Sequence, residues 1–165
     1  MKLCGCQNGS HKNVQRINSP NKEMLASKQS RNTSRFRLIE IPRMEDSRGN
    51  LCVVDSDADF PFEIKRVFWI YGVPEGESRG KHAHHTCAEV IVPVKGKLTA
   101  HVTDGVNSAD ICLDNPSVAL YIPEMVWCEF SDFSQDCVCL CLASESYDSQ
   151  GYINDLDEFL KEVEP

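Results

Sequence analysis

From about Phe36 onward, apolar residues fall into short runs with a period near two, separated by turn-forming residues. Phe36, Leu38 and Ile39 open an edge strand that ends at Pro42. Asp46-Ser47-Arg48-Gly49-Asn50 has turn composition, and Leu51 to Val54 returns as a second strand. Lys65 to Val73 reads KRVFWIYGV, a strong strand with Trp69 and Tyr71 on one face and Phe68 and Ile70 on the other. Apolar residues on both faces predict burial of both. A histidine-bearing strand comes next, then Val90 to Val94, Leu98 to Val102, Ile111 to Leu113, Ala119 to Ile122, Val126 to Phe130 and Val138 to Ala143. Hairpin signals stand at Lys95-Gly96-Lys97 and Asp104-Gly105. About ten short strands of this kind predict an all-β sandwich or barrel.

Near the end the period lengthens. Leu156, Phe159, Leu160 and Val163 recur at helical spacing, so Asn154 to Val163 is predicted to be a short amphipathic helix docked on the barrel wall, with Asn154 or Asp155 as its cap. Residues 1–34 are rich in Asn, Ser, Lys and Gln and show no clear period. They are expected to be a disordered or loosely docked extension, with a weak helix over Lys22 to Gln29, ahead of one folded domain over 35–165. Asp55, Asp57 and Asp59 alternate as in a calcium loop but lack its glycine and terminal glutamate, so a solvated loop is expected.

The chain has 165 residues, 41% of them apolar, which is enough for one domain with a substantial core. A net charge of -8 argues against a nucleic-acid surface, so an anionic partner needs a local basic pocket. No apolar run has the length of a membrane span, and the N-terminus lacks the apolar segment of a secretory signal; no membrane partner is expected. Nine cysteines, an odd number unevenly spread, fit reduced thiols in a cytoplasmic protein better than a disulfide scaffold. Cys4 and Cys6 have no second pair nearby to complete a metal site. Cys137, Cys139 and Cys141 alternate along one strand, their sulfurs roughly 6.6 Å apart, so they are expected to pack as small apolar residues.

Candidate chemistry concentrates between Gly76 and Gly96, GESRGKHAHHTCAEVIVPVKG. His82 and His84 stand at i and i+2, so on an extended backbone both imidazoles leave the same face and make either a metal site or an acid/base site. Arg79 and Lys81 lie just upstream, where they suit an anion or a developing oxyanion, and Glu89 follows a short polar break. A lone histidine in a strand is ordinarily packed or on the surface; two in register, with an arginine before them, favour a functional site.

The spacing of Gly76, His82, His84, Glu89 and Gly96 resembles the first motif of the cupin family, which implies an antiparallel double-sheet barrel, or jelly roll. The segments RVFWIYGVPEGESRGKHAHHTCAEVIVPVKGKL, LDNPSVALYIPEMVWCEFSDFS and LASESYDSQGYINDLDEFLK resemble consecutive blocks of the sugar 3,4-ketoisomerase family, WxcM-like C-terminal cupins, over roughly Phe36 to Lys161. The resemblance implies movement of the keto group of a dTDP-linked 4-keto-6-deoxyhexose from C4 to C3, with no metal or organic cofactor, in the making of unusual deoxysugars. It places the proton-transfer base at His82 or His84, with the other polarising the sugar oxygens.

A 3,4-keto shift removes a proton alpha to a carbonyl, passes through an enediol or enediolate, and returns a proton to the neighbouring carbon. It needs a base that titrates near neutrality, which histidine supplies. Arg79 suits the enediolate or the diphosphate. Tyr71 is either a donor to a sugar oxygen or a packed aromatic; Trp69 and Trp127 either line the pocket or belong to the core. Arg66 and Lys81 complete the expected substrate contacts.

The chain departs from the family pattern at three places. Trp69 stands where the family often has tyrosine, Cys128 where cupins commonly have histidine, and Glu89 where many ketoisomerases have glutamine and metal cupins a ligand glutamate. His82, His84, Glu89 and Cys128 therefore form an alternative metal-ligand set, although Pro123-Glu124-Met125 replaces the Pro-x-Gly of a second cupin motif. A non-catalytic sugar-nucleotide-binding cupin is a further alternative. A homodimer is expected, since the two-sided strand Val67 to Val73 otherwise leaves one face wet.

Overall fold

Twelve strands and one α-helix form among residues 34–55 and 60–164, the part of the chain that the computed structural model describes. The expected extension up to residue 33, its weak helix, Cys4, Cys6, Asp57 and Asp59 lie outside the described residues. One five-stranded antiparallel sheet has the order β1 (Arg37–Glu40), β9 (Val118–Ile122), β6 (Glu89–Lys95), β11 (Val138–Ala143), β4 (Arg66–Tyr71). The other has the order β12 (Tyr152–Ile153), β5 (Arg79–His84), β10 (Trp127–Ser131), β7 (Leu98–Thr103), β8 (Ser108–Leu113), again antiparallel throughout. β2 (Arg43–Asp46) and β3 (Gly49–Cys52) form a separate hairpin. The expected double-sheet β fold with a C-terminal helix is the one observed.

The period of two explains the core. Ile91, Cys139 and Cys141 of the first sheet and Ala100, Val102, Cys128 and Phe130 of the second point inward and are buried together. The alternating cysteines thus pack as small apolar side chains, and the seven cysteines among the described residues are all unpaired. Each large side chain buried here contributes about 1.5–3 kcal/mol by leaving water. The outer face of the first sheet is covered in part: Val90, Val92 and Leu142 pack under Ile39, Phe60 and Phe62. At Gly96 the β6–β7 hairpin turns with φ +68, and a Cβ would come to 2.8 Å from Cys137 Cα, so the tight turn admits no side chain.

Helix α1 (Leu156–Val163) starts at Asp155, whose carboxylate accepts from the Glu158 N–H at 2.9 Å. Its Phe159 is fully buried against Ala83, Trp127 and Ile153, with the Trp127 ring 5.9 Å away. The helix therefore covers the outer face of the second sheet where β5 ends and β10 begins.

Two expectations about strands change. β2, with the sequence RMED, is exposed along its whole length, so it carries no apolar pattern by which to find it. The expected burial of both faces of β4 is met on one face only: Phe68 and Ile70 pack on the core, whereas Val67, Trp69 and Tyr71 are 51%, 60% and 69% exposed. β4 is an edge strand, and among the described residues no element covers that part of its outer face.

Candidate active site

The site is built around a break in the pairing of β5 with β10. Cys128 faces His82 and Glu129 faces Gly80, so Lys81 is an extra residue on β5, a β-bulge with φ +82 at Gly80 and +61 at Lys81. The bulge changes which way the chain presents its side chains. His82 and His84 share the inner side with Cys128, while Lys81 turns outward, 61% exposed, to Glu129 at 3.4 Å. Gly80 is required there, since a Cβ would lie 2.9 Å from the Cys128 carbonyl oxygen.

The rings of His82 and His84 meet edge to face, centroids 4.8 Å apart. Tyr152, brought alongside β5 by the short strand β12 and paired with His84, lies 4.9 Å from the His82 ring and 4.4 Å from the His84 ring. On the opposite sheet, Arg66 of β4 and Glu89 of β6 both face Ala143 of β11, on either side of it. The small middle residue lets the long side chains meet across it: Arg66 Nη2 is 3.5 Å from Glu89 Oε1, and the same oxygen is 3.5 Å from His84 Nε2. His84 and Glu89 are 6% and 4% exposed. Arg66 Nε and His84 Nε2 are buried without a hydrogen-bond partner, and a cavity of about 30 Å³ beside them and Tyr152 has room for roughly one water or one ligand oxygen.

Burial first, then the charge of His84, hold the His82 pKa below its ordinary value; Glu89 and a hydrogen bond to the Gly80 backbone pull it up, and Arg66 depresses it slightly. A ring N–H held by the Gly80 carbonyl leaves the other nitrogen free to take a proton. Burial raises the Tyr152 pKa against a hydrogen bond with Arg66, so the phenol stays protonated near neutrality.

The sequence-expected residues divide. His82, His84 and Arg66 come together with Glu89. Arg79 pairs with the core residue Phe130, which puts it on the inner side of the sheet at the exposed start of β5. Lys81 faces out, as a consequence of the bulge. Tyr71 and Trp69 lie on the exposed outer face of β4, opposite the face that carries Arg66, and are not brought to the histidines of the same chain. Trp127 does not line the site either; it packs under α1 against Phe159.

Of the alternative metal set, His82, His84 and Glu89 place ligand atoms within 4.8 Å of one another, and Cys128 is not in that group. Cys128 is fully buried, and burial with the nearby Glu89 charge pushes its thiol pKa well above the ordinary value. Glu89 already has Arg66 as a cationic neighbour. A cleft of about 720 Å³ among Gly72 to Gly76, Lys97 and Asp132 to Gln135 is lined by neither histidine.

Tyr152 was the residue that pattern reading missed. A two-residue strand offers no period, and only the pairing of β12 with β5 brings the ring to the histidines.

Residues 34–164 match the family model described as FdtA, WxcM-like, C-terminal. The TDP-4-oxo-6-deoxy-alpha-D-glucose-3,4-oxoisomerase of Aneurinibacillus thermoaerophilus is 39% identical over 127 residues, which cover 77% of this chain and 91% of that protein. Among solved structures, a 3,4-ketoisomerase from Helicobacter canadensis matches with a TM-score of 0.76 at 34% identity, over 79% of this chain and 98% of that one. A sugar 3,4-ketoisomerase from Thermoanaerobacterium thermosaccharolyticum in complex with TDP matches with a TM-score of 0.75 at 36% identity, over 78% and 93%.

Proposed function

The chain belongs to the FdtA family of WxcM-like C-terminal domains, and from that premise we propose that it moves the keto group of a dTDP-linked 4-keto-6-deoxyhexose from C4 to C3. The observation that carries the reading is the paired imidazoles of His82 and His84, 4.8 Å apart, with His84 backed by Glu89 and Arg66.

In this mechanism His82, neutral at pH 7 because burial depresses its pKa, removes the proton from C3. Electrons move into the C3–C4 bond, and the C4 carbonyl oxygen takes up charge as the enediolate forms. His84 holds a buried nitrogen without a hydrogen-bond partner, and Arg66 holds another; both suit the developing oxygen charge. The O3 proton is lost, O4 gains one, and a proton returned to C4 leaves the 3-keto, 4-hydroxy sugar. Tyr152, against both rings, is a protonated donor for a sugar oxygen. Arg79, at the inner rim, suits the diphosphate.

A metal-assisted cupin reaction is the less favoured reading, because Cys128 lies outside the cluster of His82, His84 and Glu89, and Glu89 is shared with Arg66. A homodimer belongs to the same proposal: Val67, Trp69 and Tyr71 offer an apolar surface for a second copy. The test is to incubate chelator-treated protein with dTDP-4-keto-6-deoxyglucose and follow C3 and C4 by NMR. A carbonyl appearing at C3 supports the reading; an unchanged sugar in the presence of folded protein overturns it.

A further inference from the structure

On the outer face of the second sheet, three adjacent strands bring together Ser131, His101 and Asp110. The β7–β8 register sets Asp110 directly opposite His101, and Ser131 lies two residues along β10 from Glu129, the residue opposite His101. Asp110 Oδ1 is 2.7 Å from His101 Nδ1, and Ser131 Oγ is 2.7 Å from His101 Nε2. In the tautomer whose Nδ1 proton is held by the carboxylate, Nε2 is an acceptor for the serine hydroxyl, which has Asp132 Oδ2 as its competing acceptor at 3.2 Å. This is the nucleophile, base and orienting acid arrangement of acyl-transfer sites, and the keto shift uses none of its members.

The surroundings bear on what it would act upon. Asp132, next after Ser131, is held at φ +51 and turns the chain sharply, and its backbone N–H makes none of the turn or loop hydrogen bonds among the described residues. Asp132 also lines the 720 Å³ cleft together with Val73 and Phe133. The charges around the serine are mainly acidic: Asp132 Oδ2 at 3.2 Å from its Oγ, Asp110, and Glu129 with its partner Lys81. They disfavour anionic substrates.

We propose that Ser131, His101 and Asp110 form a second, hydrolytic site that takes neutral or cationic carboxylic esters. Ser131 Oγ bonds to the ester carbonyl carbon while its proton passes to His101 Nε2. The carbon–oxygen bond to the leaving group breaks, and the departing alcohol takes that proton. Water, deprotonated by His101, then splits the acyl-serine, so ester and water give acid and alcohol with Ser131 restored.

The experiment is p-nitrophenyl acetate hydrolysis by the full chain, with peptide mass spectrometry of the quenched protein. The expected result is an acetyl group on Ser131 and a rate that falls about 100-fold in Ser131→Ala and in His101→Ala. His82→Asn keeps this activity whether or not the ketoisomerase reading is right, so the two proposals fail independently. Ser131→Cys preserves a nucleophile and is expected to accumulate acetyl at that position. Ester hydrolysis undiminished in a folded Ser131→Ala protein, acetyl mapping only to other residues, or no hydrolysis above buffer by the wild-type chain would overturn the proposal.

Discussion

The Arg66 guanidinium stands 3.5 Å from the Glu89 carboxylate, across the one strand position, Ala143, that has almost no side chain to separate them. Their side chains are 17% and 5% exposed, so the pair is largely shielded from water and its partners depend on one another. Glu89→Ala leaves Arg66 and the His84 nitrogen facing an empty position and is expected to cost about 3 kcal/mol, as is usual when one member of a buried pair is removed. Glu89→Gln keeps an acceptor oxygen and is expected to cost much less. Urea unfolding of the two variants checks the ordering.

Gly80 fixes the direction of His82. Its φ of +82 and the 2.9 Å approach of the Cys128 oxygen exclude a side chain. Gly80→Ala is expected to lower stability by about 1 kcal/mol or more and to lower kcat by a larger factor than it changes KM, because the base moves while the rest of the pocket stays. Equal kcat in the variant would show that the bulge does not set the position of the base.

The depressed pKa of His82 gives a signed pH dependence. The base works when neutral, and its folded pKa lies below the ordinary value of about 6.5. Turnover is therefore expected to persist at pH 6.5 and to fall only as pH drops through the lower folded value. For stability, the unfolded chain binds the proton more readily than the folded one, so acidification below about 6.5 favours unfolding through this group. His82→Asn removes that contribution. Comparing the pH dependence of urea midpoints for the two proteins measures it.

The exposed edge strand predicts assembly. Trp69 and Tyr71, 60% and 69% exposed, are expected to be covered in solution by a second copy. Light scattering should give twice the chain mass at micromolar concentration, with Trp69→Lys shifted toward the monomer. A wild-type monomer would contradict this.

The sequence carried the part of the site that depends on local periodicity. The His-x-His spacing put both imidazoles on one face, as observed, because a strand alternates whatever its neighbours. Arg79 and Lys81 show where local reading stops: the bulge sends Lys81 out and leaves Arg79 at the rim, and a register shift is a property of two strands. Arg66, expected to contact the substrate, also stands 3.5 Å from Glu89, a contact that needs the order β4, β11, β6. Trp127 and Tyr152 exchange roles for the same reason, since helix α1 claims the first and β12 delivers the second.

The central claim is that His82 takes the sugar proton. The direct measurement is the rate of solvent deuterium entry at C3 and C4 of dTDP-4-keto-6-deoxyglucose in deuterium oxide, by NMR, for wild-type and His82→Asn proteins, both chelator-treated and checked for residual metal. The account expects deuterium and a C3 carbonyl with the wild type and a loss of about 100-fold or more in the variant, with its fold retained. Undiminished exchange in His82→Asn would remove His82 as the base. Exchange that disappears from the wild type on chelation and returns with added metal would move the chemistry to a metal held by His82, His84 and Glu89.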